Sequence, residues 1–213
     1  MDVLSFIKEN KLVSIARRVS PEKIAEAALA VNAGGIRCLE ITFDQSSQTC
    51  IQDTVKSIES VKKALGSKMC VGAGTTVTIE QARAAAGAGA DFILAPDTNP
   101  AVIAEVKKLG MIAIPGAMTP TEIQTAWTSG ADIVKIFPAG FLGIDYIKAV
   151  RGPISNVPLM AVGGVDENNV KTFLDSGCCS CGIGSNIMKL NLINEGRFDQ
   201  LTELANIFVK AAM

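Results

Sequence analysis

The sequence predicts a parallel α/β fold, a (β/α)8 TIM barrel occupying residues 1–213 as a single domain. Three observations lead there. Short β-branched runs alternate with Ala-rich amphipathic stretches along the whole chain. Glycines close the helical stretches just before the strands, as at Gly34-Gly35, Gly89, Gly110, Gly130 and Gly177. Polar residues and glycines gather where the strands end, the face on which a barrel carries its reacting groups. An open doubly wound sheet is the alternative, weakened because no Gly-x-Gly-x-x-Gly follows the first strand.

The elements follow in order. Leu12–Arg17 reads as strand one and precedes a helix over Pro21–Asn32, with Ser20 as cap and proline at the first helical position. Ile36–Thr42 and Met69–Ala73 are strands two and three, separated by a helix over Gln48–Leu65. A helix over Thr78–Ala88 leads to strand four at Asp91–Ala95, and one over Pro100–Lys108 leads to strand five at Met111–Ile114. Thr119-Pro120-Thr121 signals another capped start, giving a helix over Pro120–Thr128 and strand six at Asp132–Ile136. Helices over Ile144–Val150, Glu167–Asp175 and Arg197–Ala212 alternate with strands seven, Pro158–Val162, and eight, Cys179–Gly182. Trp127 is expected in the outer packing layer, and Tyr146 against a neighbouring loop.

Composition removes several function classes. A formal charge of -1 with well-mixed signs leaves no basic stripe for nucleic acid. The apolar runs are strand-sized, and Met1–Asn10 carries Asp2, Lys8 and Glu9 without a cleavage site, so neither a membrane span nor a secretory signal is expected. Cys38, Cys50, Cys70, Cys178, Cys179 and Cys181 are scattered, which fits free thiols in a cytoplasmic protein. With no histidine in the chain, Ser-His and Cys-His nucleophile pairs are impossible; no metal and no cofactor is called for.

The most informative single residue is Lys135, inside the apolar run Ile133-Val134-Lys135-Ile136-Phe137-Pro138. Burying an ammonium costs several kcal/mol, on the order of 3–5, unless a partner or chemistry compensates. Desolvation lowers a lysine pKa and leaves free amine able to attack a carbonyl. The plainer reading is a strand lysine whose head reaches water. Period-two alternation sets Cys38, Glu40 and Thr42 on one strand face; if that face is interior, Glu40 can meet Lys135 and shuttle protons. A purely structural ion pair is the alternative. Gly163-Gly164 and Gly184-Ser185 end strands seven and eight, and Ser185-Asn186-Ile187-Met188 can open a short helix, together a candidate anion site, with ordinary tight turns as the alternative. Gly72-Ala73-Gly74-Thr75 would let backbone approach a ligand and offer a hydroxyl.

The set Leu39-Glu40-Ile41-Thr42, Val71-Gly72-Ala73-Gly74-Thr75, Ile114-Pro115-Gly116, Val134-Lys135-Ile136-Phe137-Pro138, Gly163-Gly164-Val165 and Gly182-Ile183-Gly184-Ser185 resembles the 2-keto-3-deoxy-6-phosphogluconate and 4-hydroxy-2-oxoglutarate aldolases. The resemblance spans nearly the whole chain in order. It implies a class I aldolase, usually a homotrimer, that splits a 2-keto-3-deoxy-6-phospho sugar acid into pyruvate and glyceraldehyde 3-phosphate, or 4-hydroxy-2-oxoglutarate into pyruvate and glyoxylate. By match, Lys135 is the Schiff-base lysine and Glu40 the proton shuttle; Thr75 and Pro96 wall the pyruvate, with Phe137 beside the lysine. Gly163, Gly164, Gly184 and Ser185 mark the phosphate end.

Two departures stand out. Many members carry an arginine four residues beyond the glutamate, where this chain has Asp44; Arg17 at the end of strand one resembles an arginine of other members and is the substitute carboxylate ligand. Val162 stands where gluconate-type members often have threonine, which looks more like the 6-phosphogalactonate branch. Two rivals stay open: a non-covalent sugar-phosphate isomerase or epimerase using Glu40 as base, and a silent relative that binds a phosphorylated acid.

Overall fold

A computed structural model describes residues 2–213. Along the chain lie α1 (Val3–Asn10), β1 (Leu12–Ala16), α2 (Ile24–Ala33), β2 (Cys38–Thr42), α3 (Cys50–Leu65), β3 (Cys70–Gly74), α4 (Ile79–Gly87), β4 (Phe92–Leu94), α5 (Pro100–Lys108), β5 (Ile112–Ile114) and β6 (Gly116–Ala117). Then come α6 (Pro120–Thr128), β7 (Val134–Ile136), α7 (Ala139–Arg151), β8 (Leu159–Val162), α8 (Val170–Asp175), β9 (Cys178–Ile183), α9 (Leu190–Asn194) and α10 (Phe198–Ala211).

All strand pairs are parallel, in the order β5-β4-β3-β2-β1-β9-β8-β7-β6. Only Pro115 separates the two end strands, so a single stretch of chain closes the sheet: β5 pairs with β4, and β6 with β7. Proline lacks the N–H that would continue the ladder, but its carbonyl still accepts from Lys135 N at 2.8 Å. The expected barrel is therefore present, with its fifth strand broken in two at the seam.

Alternation divides each strand between two cores. Val13, Ile15, Cys38, Cys70, Phe92, Leu94, Ile114, Met160 and Val162 fill the barrel interior, and Ile7 of α1 plugs its amino-terminal end. The opposite strand faces pack against the helices in a larger layer that includes Leu39, Val71, Ile93 and Ile136, with Trp127 and Tyr146 at its edge. The Tyr146 hydroxyl donates to Met118 O at 2.6 Å, the loop contact expected of it.

One fastening is used twice on the amino-terminal side. Asp91 accepts from Val71 N at 2.8 Å and from Lys62 Nζ at 2.9 Å. Asp132 accepts from Ala113 N at 2.8 Å and from Lys107 Nζ at 2.6 Å. Each carboxylate at a strand start thus ties the preceding strand and helix together with charge-assisted bonds.

Several boundaries differ from the sequence reading. Ser20-Pro21 begins a turn, not a capped helix: Ser20 O accepts from Lys23 N and Ile24 N, and α2 starts only at Ile24. Thr119 does cap α6, in a reciprocal box with Glu122. Helix α7 begins at Ala139 rather than Ile144, interrupted at Gly143 by φ 80°. Ser185–Met188 forms no helix: it is a turn closed by Ile187 N and Met188 N donating to Gly184 O. No helix among the described residues is long and apolar enough to cross a membrane, and no group of three or more potential metal ligands occurs among them.

Candidate active site

Lys135 is the central residue of β7, flanked by fully buried Val134 and Ile136 that anchor the strand to the outer helices. Period two then turns Lys135 into the barrel, where it is 5% exposed. Glu40 occupies the same kind of position on β2 and is 1% exposed. Both charges are thus held inside an apolar cylinder, which sets their ionisation.

Burial pushes the Lys135 amine below its ordinary value; Glu40 pulls it back up, and Arg17 lowers it further. Burial pushes the Glu40 carboxyl above its ordinary value, with Lys135 and Arg17 opposing that rise. No ion pair within 4 Å joins the two, yet each acts on the ionisation of the other. Glu40 Oε2 is buried without a hydrogen-bond partner, a costly state that a ligand group or a water could relieve. Lys135 Nζ lies 4.9 Å from the centre of the Phe137 ring, whose face favours the ammonium form.

Two glycines make room for this arrangement. Gly74, in register with Thr42, lies under the Glu40 carboxyl, and a Cβ there would overlap it. Gly72, in register with Glu40, gives the same space to the Phe92 ring. Of the two, Gly74 alone serves the glutamate directly.

Above the pair, the carboxyl-terminal rim holds a cavity of about 620 Å³ lined by Arg17, Phe137, Val162, Gly163, Gly164, Gly184 and Ser185 among others. Gly163 and Gly164 take φ 86° and 78°, a left-handed pair open to few other residues. Gly164 lies so close to Gly140 that a Cβ on either would crowd the other backbone. A second cavity of about 260 Å³ is lined by Arg17, Arg18, Thr42, Asp44, Gln45 and Thr75 among others. Thr75 has φ 53°, and its carbonyl accepts from Gln45 Nε2 at 2.8 Å.

Arg17 lines both cavities, and it is the cation that acts on both Lys135 and Glu40. Pro96 lines neither; its carbonyl packs against Gly116, the residue in register with Lys135 across the seam. Every sequence-predicted site residue thus falls inside the barrel or on its carboxyl-terminal side, though Lys135, Glu40 and Pro96 line neither cavity.

Sequence reasoning missed Arg18, Asn186 and Lys189, which also line the larger cavity. Arg18 had a signal, since it follows Arg17 at a strand end. Asp44 does not point a free charge at the site: Ser46 Oγ and N donate to its Oδ1 at 2.6 and 3.1 Å, and Arg18 Nε lies 3.3 Å from its Oδ2. These contacts, led by the Ser46 hydroxyl, hold the carboxyl below its ordinary range.

Comparison with known proteins gives a consistent result. The family model for KDPG and KHG aldolase matches residues 3–204. The chain is 33% identical over 201 residues to the 2-dehydro-3-deoxy-6-phosphogalactonate aldolase of Escherichia coli K12, covering 94% of this chain and 93% of that protein. It is 34% identical over 192 residues to the 2-dehydro-3-deoxy-phosphogluconate aldolase of Treponema pallidum, covering 88% of each. Among solved structures, a native KDPGal structure superposes with a TM-score of 0.84 at 32% identity, over 94% of this chain and 93% of that one. The KDPG aldolase of Legionella pneumophila, solved with pyruvate captured as a carbinolamine, shares the fold at a TM-score of 0.85 and 24% identity, covering 97% of each chain.

Proposed function

The chain belongs to the KDPG and KHG aldolase family, carbon–carbon lyases that act on keto-deoxy phospho sugar acids, and from that premise we propose that Lys135 is its Schiff-base lysine and Glu40 its proton carrier. The observation that carries this reading is a buried amine and a buried carboxylate inside one barrel, each shifted by burial toward its neutral form.

A neutral Lys135 attacks the C2 carbonyl, and the carbinolamine loses water to give an iminium. Glu40, as carboxylate, takes the proton of the C4 hydroxyl. The C3–C4 bond then breaks, its electrons flow into the iminium to form an enamine, and the aldehyde leaves. Protonation at C3 and hydrolysis release pyruvate and restore the amine. Glu40 also moves the protons of carbinolamine dehydration, since its raised pKa suits both directions of transfer.

Arg17 takes the substrate carboxylate, because C1 adjoins the carbon that Lys135 attacks and Arg17 is near enough to alter the ionisation of that lysine. Thr75 and Pro96 bound the pyruvate, and Phe137 packs beside the amine. Gly163, Gly164, Gly184 and Ser185 receive the phosphate through backbone N–H groups and the hydroxyl. Val162, buried yet lining the cavity, offers an apolar wall where a threonine would place a hydroxyl. This favours the galactonate-type epimer over the gluconate-type, by about 1 kcal/mol. A homotrimer in the cytoplasm completes the proposal; free cysteines fit that compartment.

The test is borohydride trapping with pyruvate, with peptide mass analysis to locate the adduct. A reduced pyruvyl adduct on Lys135 is the expected result. Its absence in folded protein with excess pyruvate would transfer the weight to a non-covalent isomerase or to a silent binder of a phosphorylated acid.

A further inference from the structure

Arg18 is placed unlike any other charged residue of the rim. Its backbone has φ 56°, a conformation that costs a residue with a Cβ about 1 kcal/mol. Its side chain is 64% exposed, and its only recorded partner among the described residues is Asp44, at Nε. The terminal amino groups of the guanidinium make no protein hydrogen bond among the described residues. A guanidinium paired through its inner nitrogen, with both outer nitrogens unengaged among the described residues, can turn its outer edge to a tetrahedral oxyanion.

Arg18, like Arg17, lines the smaller cavity beside Asp44 as well as the larger one. Both arginines line the larger cavity together with Gly163, Gly164, Gly184 and Ser185. The proposed function gives Arg17 to the substrate carboxylate, which leaves Arg18, on the same cavity wall as the glycine pair and Ser185, for the far end of an extended substrate. We infer that Arg18 is a specificity-determining residue that grips the substrate phosphate, and that Asp44 is a positioning residue that holds its guanidinium at the cavity mouth. Asp44 thus belongs to substrate recognition through its partner, at a position where the family often carries a cation. Backbone strain at Arg18 fits the same purpose, since strained non-glycine residues cluster where a ligand must be met.

This inference rests on the aldolase reading above and is tested in the condensation direction, with pyruvate and either glyceraldehyde 3-phosphate or unphosphorylated glyceraldehyde. The readout is the ratio of the two kcat/KM values. Glycine accepts φ 56°, so Arg18→Gly removes the guanidinium without a backbone penalty. The ratio should fall about 10- to 100-fold in Arg18→Gly, mostly through KM for the phosphorylated aldehyde. Arg18→Lys should fall between, keeping charge but losing the fork. Asp44→Asn should lower the ratio about 3- to 10-fold by loosening Arg18. An unchanged ratio in Arg18→Gly, with pyruvate still trapped on Lys135, would overturn the inference alone and leave Arg17 and Lys189 as the cations of that cavity. If the unsubstituted protein fails to trap pyruvate, the aldolase reading falls and this inference with it.

Discussion

Replacing Gly74 with alanine adds one methyl group and should remove most of the activity. The backbone at Gly74 is not in the left-handed region, so alanine is conformationally acceptable there. The new Cβ, however, overlaps the Glu40 carboxyl, which must rotate or shift away. Overpacking of this kind costs about 1–3 kcal/mol of stability, a drop of roughly 2–12 °C in Tm for a chain of this size. The catalytic cost is larger in kind. A displacement of about 1 Å in a positioned group costs on the order of 100-fold, equivalent to roughly 2.7 kcal/mol of barrier. Gly72→Ala is the matched control, because its Cβ meets the Phe92 ring instead and Phe92 carries no chemistry. The assay is steady-state pyruvate release from the phosphorylated keto acid, with thermal unfolding of both variants alongside. We expect similar losses of stability in the two, with kcat falling about 100-fold in Gly74→Ala and far less in Gly72→Ala. Equal kcat in both folded variants would refute the claim that Gly74 exists to seat Glu40.

Three further outcomes follow from the same geometry. Lys135→Met should abolish borohydride trapping yet raise stability by about 1–3 kcal/mol at neutral pH, because an apolar side chain replaces a desolvated charge. The Lys135 pKa is lowered on folding, so the unfolded chain binds the extra proton and wild-type stability rises with pH up to the ordinary lysine range; the gap between the two proteins should close as urea midpoints are followed above about pH 10. The pH midpoint for trapping should move down in Glu40→Gln, which removes the anion that raises the lysine, and up in Arg17→Leu, which removes the cation that lowers it; shifts of the same sign would contradict the electrostatics. Asp132→Ala leaves the Ala113 N–H without its acceptor and should cost about 1–3 kcal/mol in chemical denaturation while kcat stays near wild type.

The alternation of strands and helices was readable because each element repeats its own period, and the glycines predicted to end helices do take positive φ at Gly35, Gly89, Gly110, Gly130 and Gly177. Lys135 and Glu40 were readable for a different reason: a charge in a β-branched run contradicts its surroundings, and that contradiction needs no three-dimensional information. Contacts between loops left no such trace. Arg18 and Asp44 are 26 positions apart, and nothing periodic joins them, so no pattern along the chain marks Asp44 as paired. Helix α1 was passed over because eight residues between a terminus and Lys11 give little periodic signal; its worth lies in placing Ile7 under the barrel. The break at Pro115 divides a strand that the sequence showed only up to Ile114, since the two residues of β6 are too few to register as an element.

The carboxylates of Asp91 and Asp132 pin strands and helices together at the end of the barrel opposite the substrate. Neither anchor bonds to Arg18, Asp44 or Val162, so a substitution at any of those three leaves both fastenings whole, and the mouth of the barrel can be altered without cutting its foundation.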